Sequence, residues 1–285
     1  MSQYFRKTLS VAIACAIAAP AFAVEPAVKG PETVADWWNA GQKFIADGKK
    51  IVPNARKAKN VILFVGDGMG ISTLTASRIL EGQLHGKTGE ENRLFFENFP
   101  NLGLSKTYSW DQQTPDPAPT MTAMVTGYKA REGMLSVNQN TARGECNADV
   151  LAANALPTIL EQAAAAGKST GVVSTARLTH ATPAATYSHT SVRDWESDKE
   201  FASFFPANYT ACKNAGVPLV KDIARQLIEV SPAVKASLKV AMGGGRTYFL
   251  PKTMKDPEYT TSAGRRQDGR DLTAEWVSSR GAKDN

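Results

Sequence analysis

An aspartate held between glycines, Gly66-Asp67-Gly68, follows directly on the apolar run Val61-Ile62-Leu63-Phe64-Val65. A carboxylate just past the end of a buried strand stands where α/β sheets place ligands, and flanking glycines let a ligand or cation approach the backbone. Carboxylate oxygen suits magnesium and zinc alike. The same stretch, Gly66 to Gly70, reads equally well as a tight turn with a helix-capping aspartate. Other polar stretches have blander readings when taken alone. His180, in Thr179-His180-Ala181-Thr182-Pro183, reads as a hydrogen-bonded structural histidine, and Arg193 as a surface arginine in a polar loop. His85 and His189 read as structural. In Thr114-Pro115-Asp116-Pro117-Ala118-Pro119-Thr120, Asp116 has the chemistry of a helix N-cap and Pro117 that of a first helical residue.

Those residues need elements to hold them. Val61 to Val65 has the continuous apolar character of a strand covered on both faces, and Ser72 to Glu81 reads as the helix after the turn. The order recurs further along. Val150 to Ala166 reads as an Ala-rich helix closed by Gly167, Thr170 to Ser174 as a strand, and Leu219 to Val230 as an amphipathic helix. Leu238 to Met242 reads as a strand running into the turn Gly243-Gly244-Gly245-Arg246, and Leu272 to Ser279 as a helix. Strands alternating with helices predict an α/β fold with a mainly parallel sheet and helices on both faces. Gly167-Lys168-Ser169 imitates the end of a P-loop. Gln162 stands where its first glycine belongs, however, and the order is helix, turn, strand instead of strand, loop, helix.

Ahead of residue 59 the chain reads as two segments. Residues 1–23 have the form of a signal peptide: Arg6 and Lys7, an apolar run from Leu9 to Ala18, and Ala21-Phe22-Ala23 as a cleavage site. The apolar run is too short for a membrane span, and Ala12-Ile13-Ala14 is a poor acylation context for Cys15. An exported protein, periplasmic or secreted, without stable membrane insertion is expected. Residues 24–58 read as an N-terminal arm, Pro-rich at first, with a short surface helix from Trp37 to Lys49. Cleavage would remove two of 33 basic residues and none of 27 acidic ones, taking the net charge from +6 to +4. No long basic run or aromatic-basic interleaving points to nucleic acid. Cys146 and Cys212 survive cleavage in loop-like surroundings. In an oxidising compartment one disulfide is the simplest arrangement, two separate thiols the alternative.

The stretch NVILFVGDGMGISTLTASRILEGQ, Asn60 to Gln83, resembles the first metal-binding segment of alkaline phosphatases, and the likeness continues in order through most of residues 59–280. It looks nearest to animal-type and related bacterial members. Residues 59–285 are thereby identified as the N-terminal part of an alkaline phosphatase domain. The resemblance implies hydrolysis of phosphate monoesters through a metal-activated nucleophile, with two Zn2+ and one Mg2+, in a homodimer. By the same resemblance Asp67 bridges a zinc and the magnesium, Thr182 offers magnesium a hydroxyl, and His180 lies near the magnesium and its waters. Arg193 would clamp phosphate through its planar guanidinium, with Asp116 orienting it. Cys146 and Cys212 stand at positions like those bridged in animal-type members. The C/S-x-P-x-R motif of sulfatases is absent.

The sequence departs from the family pattern at one critical position: Pro117 stands where the nucleophilic serine belongs. Structurally the change is mild, because proline is well tolerated at the first helical position. Chemically it removes a hydroxyl and an amide donor. Thr120 and Thr122, displaced by several ångströms along a helix, are no obvious substitutes. The family takes most of its zinc ligands from histidines and carboxylates of the C-terminal half. This chain has three histidines, and no Asp-x-x-x-His arrangement follows residue 246. The expectation is a part of a longer enzyme, inactive as written, with an incomplete sheet. The alternative is a non-catalytic phosphate- or metal-binding pseudoenzyme.

Overall fold

The structure, a computed structural model, describes residues 33–52 and 56–280. The expected signal peptide, residues 1–23, lies outside the described residues. The chain divides into two compact units, Met1–Leu104 and Ser105–Asn285.

In the first unit, helix α1 (Val34–Gly48) begins at Thr33, whose hydroxyl accepts from the Asp36 amide while the Asp36 carboxylate takes the Thr33 N–H. This reciprocal cap satisfies two otherwise orphaned donors. No residue of α1 is buried, in keeping with the surface helix expected there. The Gly66–Gly70 turn follows, with Gly68 at φ 68°, a conformation glycine reaches without a Cβ clash. It leads into α2 (Ile71–Leu84), the expected helix extended at both ends. The next segment folds back on α2: Arg78 Nη1 donates to the Glu90 carbonyl at 2.8 Å, and the Asn92 amide to the Glu81 carboxylate at 2.6 Å. The strand expected over Val61–Val65 is not formed. Val61, Ile62, Leu63 and Phe64 are between 57% and 88% exposed, and the run pairs with no strand among the described residues. A strand exists only through a neighbour's backbone groups, which an apolar pattern cannot supply.

The second unit opens with α3 (Pro117–Thr126), which ends at Gly127 with φ 81°. The single helix expected from Val150 to Ala166 is two, α4 (Ala148–Ala153) and α5 (Ile159–Ala165). Pro157 interrupts the helical ladder and disfavours helix in the residue before it. Thr158 then opens α5 with a capping box shared with Glu161. Gly167 closes α5 at φ 69°, as its position in the sequence implies. Strand β1 (Thr170–Arg177) is followed by α6 (Ala181–Ala184), α7 (Pro206–Asn214), α8 (Ile223–Ile228) and α9 (Pro232–Ser237), then by β2 (Leu238–Gly244) and α10 (Leu272–Arg280). Helix α8 is shorter than the expected Leu219–Val230 because Asp222 caps it, accepting the Arg225 amide at 2.9 Å.

Strands β1 and β2 pair in parallel, Thr170 opposite Leu238 and Val173 opposite Met242. Helix α5 packs on α9, and they lie on β1 and β2 respectively. The α/β class and the parallel pairing are as the alternation of patterns predicts. The core of this unit gathers Met134, Val137, Leu151, Val192, Trp195 and Phe201. The Trp195 indole donates to the Phe204 carbonyl at 2.8 Å and meets Phe201 edge-on at 5.2 Å, and Phe201 stacks on Tyr209 at 4.2 Å. Cys146 and Cys212, bonded to each other across 66 residues, pack against this cluster.

Candidate active site

Three segments of the second unit come together at the carboxyl end of β1. The first leaves β1 at Arg177. Leu178 stays fixed to the sheet through its amide on the Gly244 carbonyl at 3.1 Å, and its own carbonyl accepts the Tyr187 hydroxyl at 2.8 Å. His180 then stands at the N-cap of α6, with Thr182 inside that helix. The second segment, 188–196, runs antiparallel to residues 133–137. Leu135 and Thr190 exchange backbone bonds of 2.9 and 3.0 Å, and the Arg193 amide donates to the Gly133 carbonyl at 2.8 Å. The third is the start of α3, where Asp116 precedes Pro117.

Their side chains converge on Arg193. Its Nη1 pairs with Asp116 Oδ2, and its Nη2 lies 3.0 Å from His180 Nε2. A guanidinium offers only N–H donors, so Nε2 is the acceptor and the neutral His180 ring carries its proton on Nδ1. The Arg193 and Asp116 side chains are only 17% and 20% exposed, so solvent screens the pair less than a surface ion pair. Asp116 is held on its other side too: Oδ1 accepts the Gly133 amide at 3.2 Å, and its own N–H donates to both Glu132 carboxylate oxygens at 3.1 Å. Burial raises the Glu132 pKa, with the nearby Asp116 charge adding to the effect and the Asp116 N–H opposing it. Gly133 has φ 68°, and a Cβ there would collide with the Arg143 guanidinium, which donates to the Glu132 carbonyl at 2.8 Å. A side chain here would carry left-handed backbone strain and displace the Arg143 guanidinium, so glycine suits this junction.

Asp116 is the N-cap of α3 by backbone geometry, as expected, yet its carboxylate makes no capping bond to the helix. The sequence supplies part of the reason, since Ala118 keeps its amide and Pro119 has none. Capping bonds run to the amides of the second and third helical residues, and the third is Pro119. Freed from capping, the carboxylate serves Arg193. The hydroxyls further along α3 are committed to packing. Thr120 donates to the carbonyls of Asp116 and Pro117 at 3.1 Å, and buried Thr122 donates to the Met134 carbonyl while accepting the Ser136 amide.

A buried carboxylate, Glu196, ties the first two segments together. It accepts both Arg177 Nε and Nη2 at 2.8 Å and the Thr179 hydroxyl, and it is 7% exposed. Neither Glu132 nor Glu196 stands out in the sequence. Both sit among other charged residues, Lys129 and Arg131 beside the one and Arg193, Asp194 and Asp198 beside the other, and their partners lie 16 to 19 positions away, beyond any local spacing rule.

Of the residues singled out from the sequence, Asp116, His180 and Arg193 therefore meet directly. Helix α6, with Thr182, packs against α3. Asp67 sits in the turn before α2, in the first unit. Cys146 and Cys212 form the bridge, with Cα atoms 6.1 Å apart. His189 is hydrogen-bonded to the Ser136 carbonyl and to Glu161, as a structural histidine should be. The carboxylate of Asp67, in the first unit, and the hydroxyl of Thr182, in the second, are each an oxygen donor of a type that magnesium takes. Donors of the kind zinc prefers do not assemble among the described residues. Among the described residues, the only group of three His, Cys, Asp or Glu side chains with ligand atoms within 4.8 Å is Glu145, Cys146 and Cys212, and its sulfurs are used by the disulfide.

Residues 58–284 match the family described as alkaline phosphatase. The chain belongs to the alkaline phosphatase family. It is 45% identical over 246 residues to the mouse tissue-nonspecific alkaline phosphatase, covering 85% of this chain and 44% of that protein. It is 47% identical over 227 residues to the alkaline phosphatase of Gadus morhua, covering 79% of this chain and 44% of that protein. The chain thus spans less than half the length of these curated relatives. A solved alkaline phosphatase from the Antarctic bacterium TAB5 is 24% identical, with a TM-score of 0.46 over 74% of this chain and 42% of that one. That likeness is too slight to add to the sequence match. No helix among the described residues is long and apolar enough to cross a membrane.

Proposed function

We propose that this chain carries the phosphate-gripping part of an enzyme that hydrolyses phosphate monoesters, with Arg193 as the group that holds the phosphoryl oxygens. The supporting observation is the seating of Arg193 between Asp116 and His180. Those two bonds use two of the five guanidinium N–H groups and fix the plane of the fork, so less side-chain entropy remains to be lost when an oxyanion is gripped. Glu132 and Gly133 hold Asp116, and Glu196 holds the segment bearing His180. Family membership brings metal dependence with it. Asp67 and Thr182 are the oxygen donors this chain would offer to Mg2+, with His180 beside its waters. A bound cation would supply positive charge against the phosphate oxygens. Two Zn2+ ions need nitrogen and further carboxylate donors that do not assemble among the described residues. Export to the periplasm or medium and assembly as a homodimer belong to the same reading.

One observation favours a second reading, a phosphate- or metal-binding pseudoenzyme. Pro117 heads α3 without a hydroxyl, and Thr120 and Thr122 spend theirs on the helix and its packing. Sequencing the locus across codon 117 and past codon 285 separates the two. A serine codon with downstream Asp- and His-rich sequence supports the enzyme, and a confirmed proline supports the binder. In the longest polypeptide the locus encodes, Pro117→Ser is expected to give zinc-dependent release of phosphate from an aryl phosphate at alkaline pH. Arg193→Ala in that background should weaken inhibition by phosphate at least ~10-fold, the scale of a lost charge-assisted contact. No gain from the serine refutes the nucleophile position, and unchanged phosphate inhibition refutes the clamp.

A further inference from the structure

We infer that Ser191 is a positioning residue for Arg193, its hydroxyl tying the phosphate clamp to the backbone beside the Cys146–Cys212 bridge. The inference rests on the reading of Arg193 as that clamp. The segment bearing Arg193 is fastened to residues 133–137 by the bonds that Leu135 and Thr190 exchange and by the Arg193 amide on the Gly133 carbonyl. Bonds to one neighbour alone leave a segment free to pivot about the line they define. Ser191 lies between these attachments and is fully buried. Its hydroxyl donates to the Glu145 carbonyl at 2.6 Å, 46 positions away, and this bond to a different segment stops the pivot.

The far end of that bond is itself held. The Glu145 amide donates to the Ala142 carbonyl at 3.2 Å, and its carboxylate accepts the Asn147 amide at 2.8 Å. The next residue, Cys146, is bonded to Cys212, and its carbonyl accepts the Val220 amide at 2.9 Å. Among the described residues the Ser191 hydroxyl is the only donor to the Glu145 carbonyl. Val192 and Trp195 pack in the same apolar cluster as Cys146. Apolar packing is non-directional, however, whereas a hydrogen bond fixes an angle as well as a distance. That angle matters because the Arg193 fork must meet groups from two other segments, Asp116 and His180, and still present N–H groups to an oxyanion.

The test is binding of inorganic phosphate to the full chain by equilibrium dialysis, with near-UV circular dichroism confirming that each variant folds. Ser191→Ala is expected to weaken binding about 5-fold, the scale of one neutral hydrogen bond. Ser191→Thr, which keeps the hydroxyl, is expected to stay within about 2-fold of the parent. Cys146→Ser with Cys212→Ser frees the anchor and is expected to weaken binding to a similar extent as Ser191→Ala. Adding Ser191→Ala to that pair should change it no further, because both act through one link. Factors that multiply instead overturn the inference, as does parent-like affinity in Ser191→Ala or a threonine variant no better than the alanine one. Should either Ser191→Ala or the cysteine pair fail to fold, the other decides, and parent-like affinity in it overturns the inference. In each of these cases Arg193→Ala still abolishes binding and the clamp stands. Binding that survives Arg193→Ala, or a parent that binds no phosphate, overturns the clamp instead and the inference with it.

Discussion

Arg193 and His189 lie four positions apart in one segment and show how neighbouring residues come to opposite electrostatic settings. Arg193 donates to a neutral imidazole, His180, and to a carboxylate. His189 faces two acceptors, the Ser136 carbonyl at 2.8 Å and Glu161 at 2.9 Å, so its doubly protonated form satisfies both. Burial pulls the His189 pKa down, but the hydrogen bond and charge of Glu161 outweigh it and the net shift is upward from 6.5. Burial pushes Glu161 up, and His189 reverses that, leaving it below 4.5. The raised histidine stabilises the fold fully below 6.5 and loses that contribution as pH climbs through its folded pKa. The lowered glutamate stabilises it above 4.5 and loses that contribution as pH falls through its own folded pKa. The pair therefore helps most between these limits. Urea midpoints should fall between about pH 6 and about pH 9, and His189→Asn should flatten that fall. An unchanged slope in the variant would show that the pair does not govern it.

At the scale of elements, capping decides boundaries that periodicity blurs. Thr158 closes the capping box of α5 with Glu161 and sends its hydroxyl to the Thr186 carbonyl at 2.7 Å, tying α5 to the segment that follows α6. Thr158→Ala should cost roughly 1–2 kcal/mol, at the upper end for a cap because the site is buried, measured as a shift in denaturant midpoint without a change in slope. A loss within error would mean that the box contributes nothing beyond its neighbours. The same comparison shows what the sequence could and could not disclose. Strands β1 and β2 and helix α10 were legible because a glycine or a capping residue stands at one end of each, Gly167 before β1, Gly243 at the close of β2 and Asp271 before α10. The split between α4 and α5 was legible in principle, since Pro157-Thr158 carries both a breaker and a cap. Val61–Val65 was not, because pairing depends on a partner strand that local pattern does not reveal. In the candidate site, Asp116, His180 and Arg193 were found through motifs. Glu132 and Glu196 became visible only when the chain brought distant segments together.

At the scale of the molecule, the second unit is closed by the bond between Cys146 and Cys212. Cross-linking a loop of 66 residues restricts the unfolded chain, and the entropic estimate is about 4 kcal/mol. Replacing both cysteines by serine should lower stability by roughly 2–4 kcal/mol under oxidising conditions and change nothing once the parent is reduced. Equal stability of parent and variant before reduction would contradict this. The bridge also leans on the cluster around Trp195, two residues past Arg193, so its loss should loosen the fork as well as the fold.

The residues enclosed by that bridge include β1, His180, Thr182 and Arg193. A single peptide-bond break anywhere between the two cysteines would leave two fragments still tethered through sulfur. The histidine and the arginine would stay on one covalent body, and the injury would show as separate pieces only after a reductant reached it.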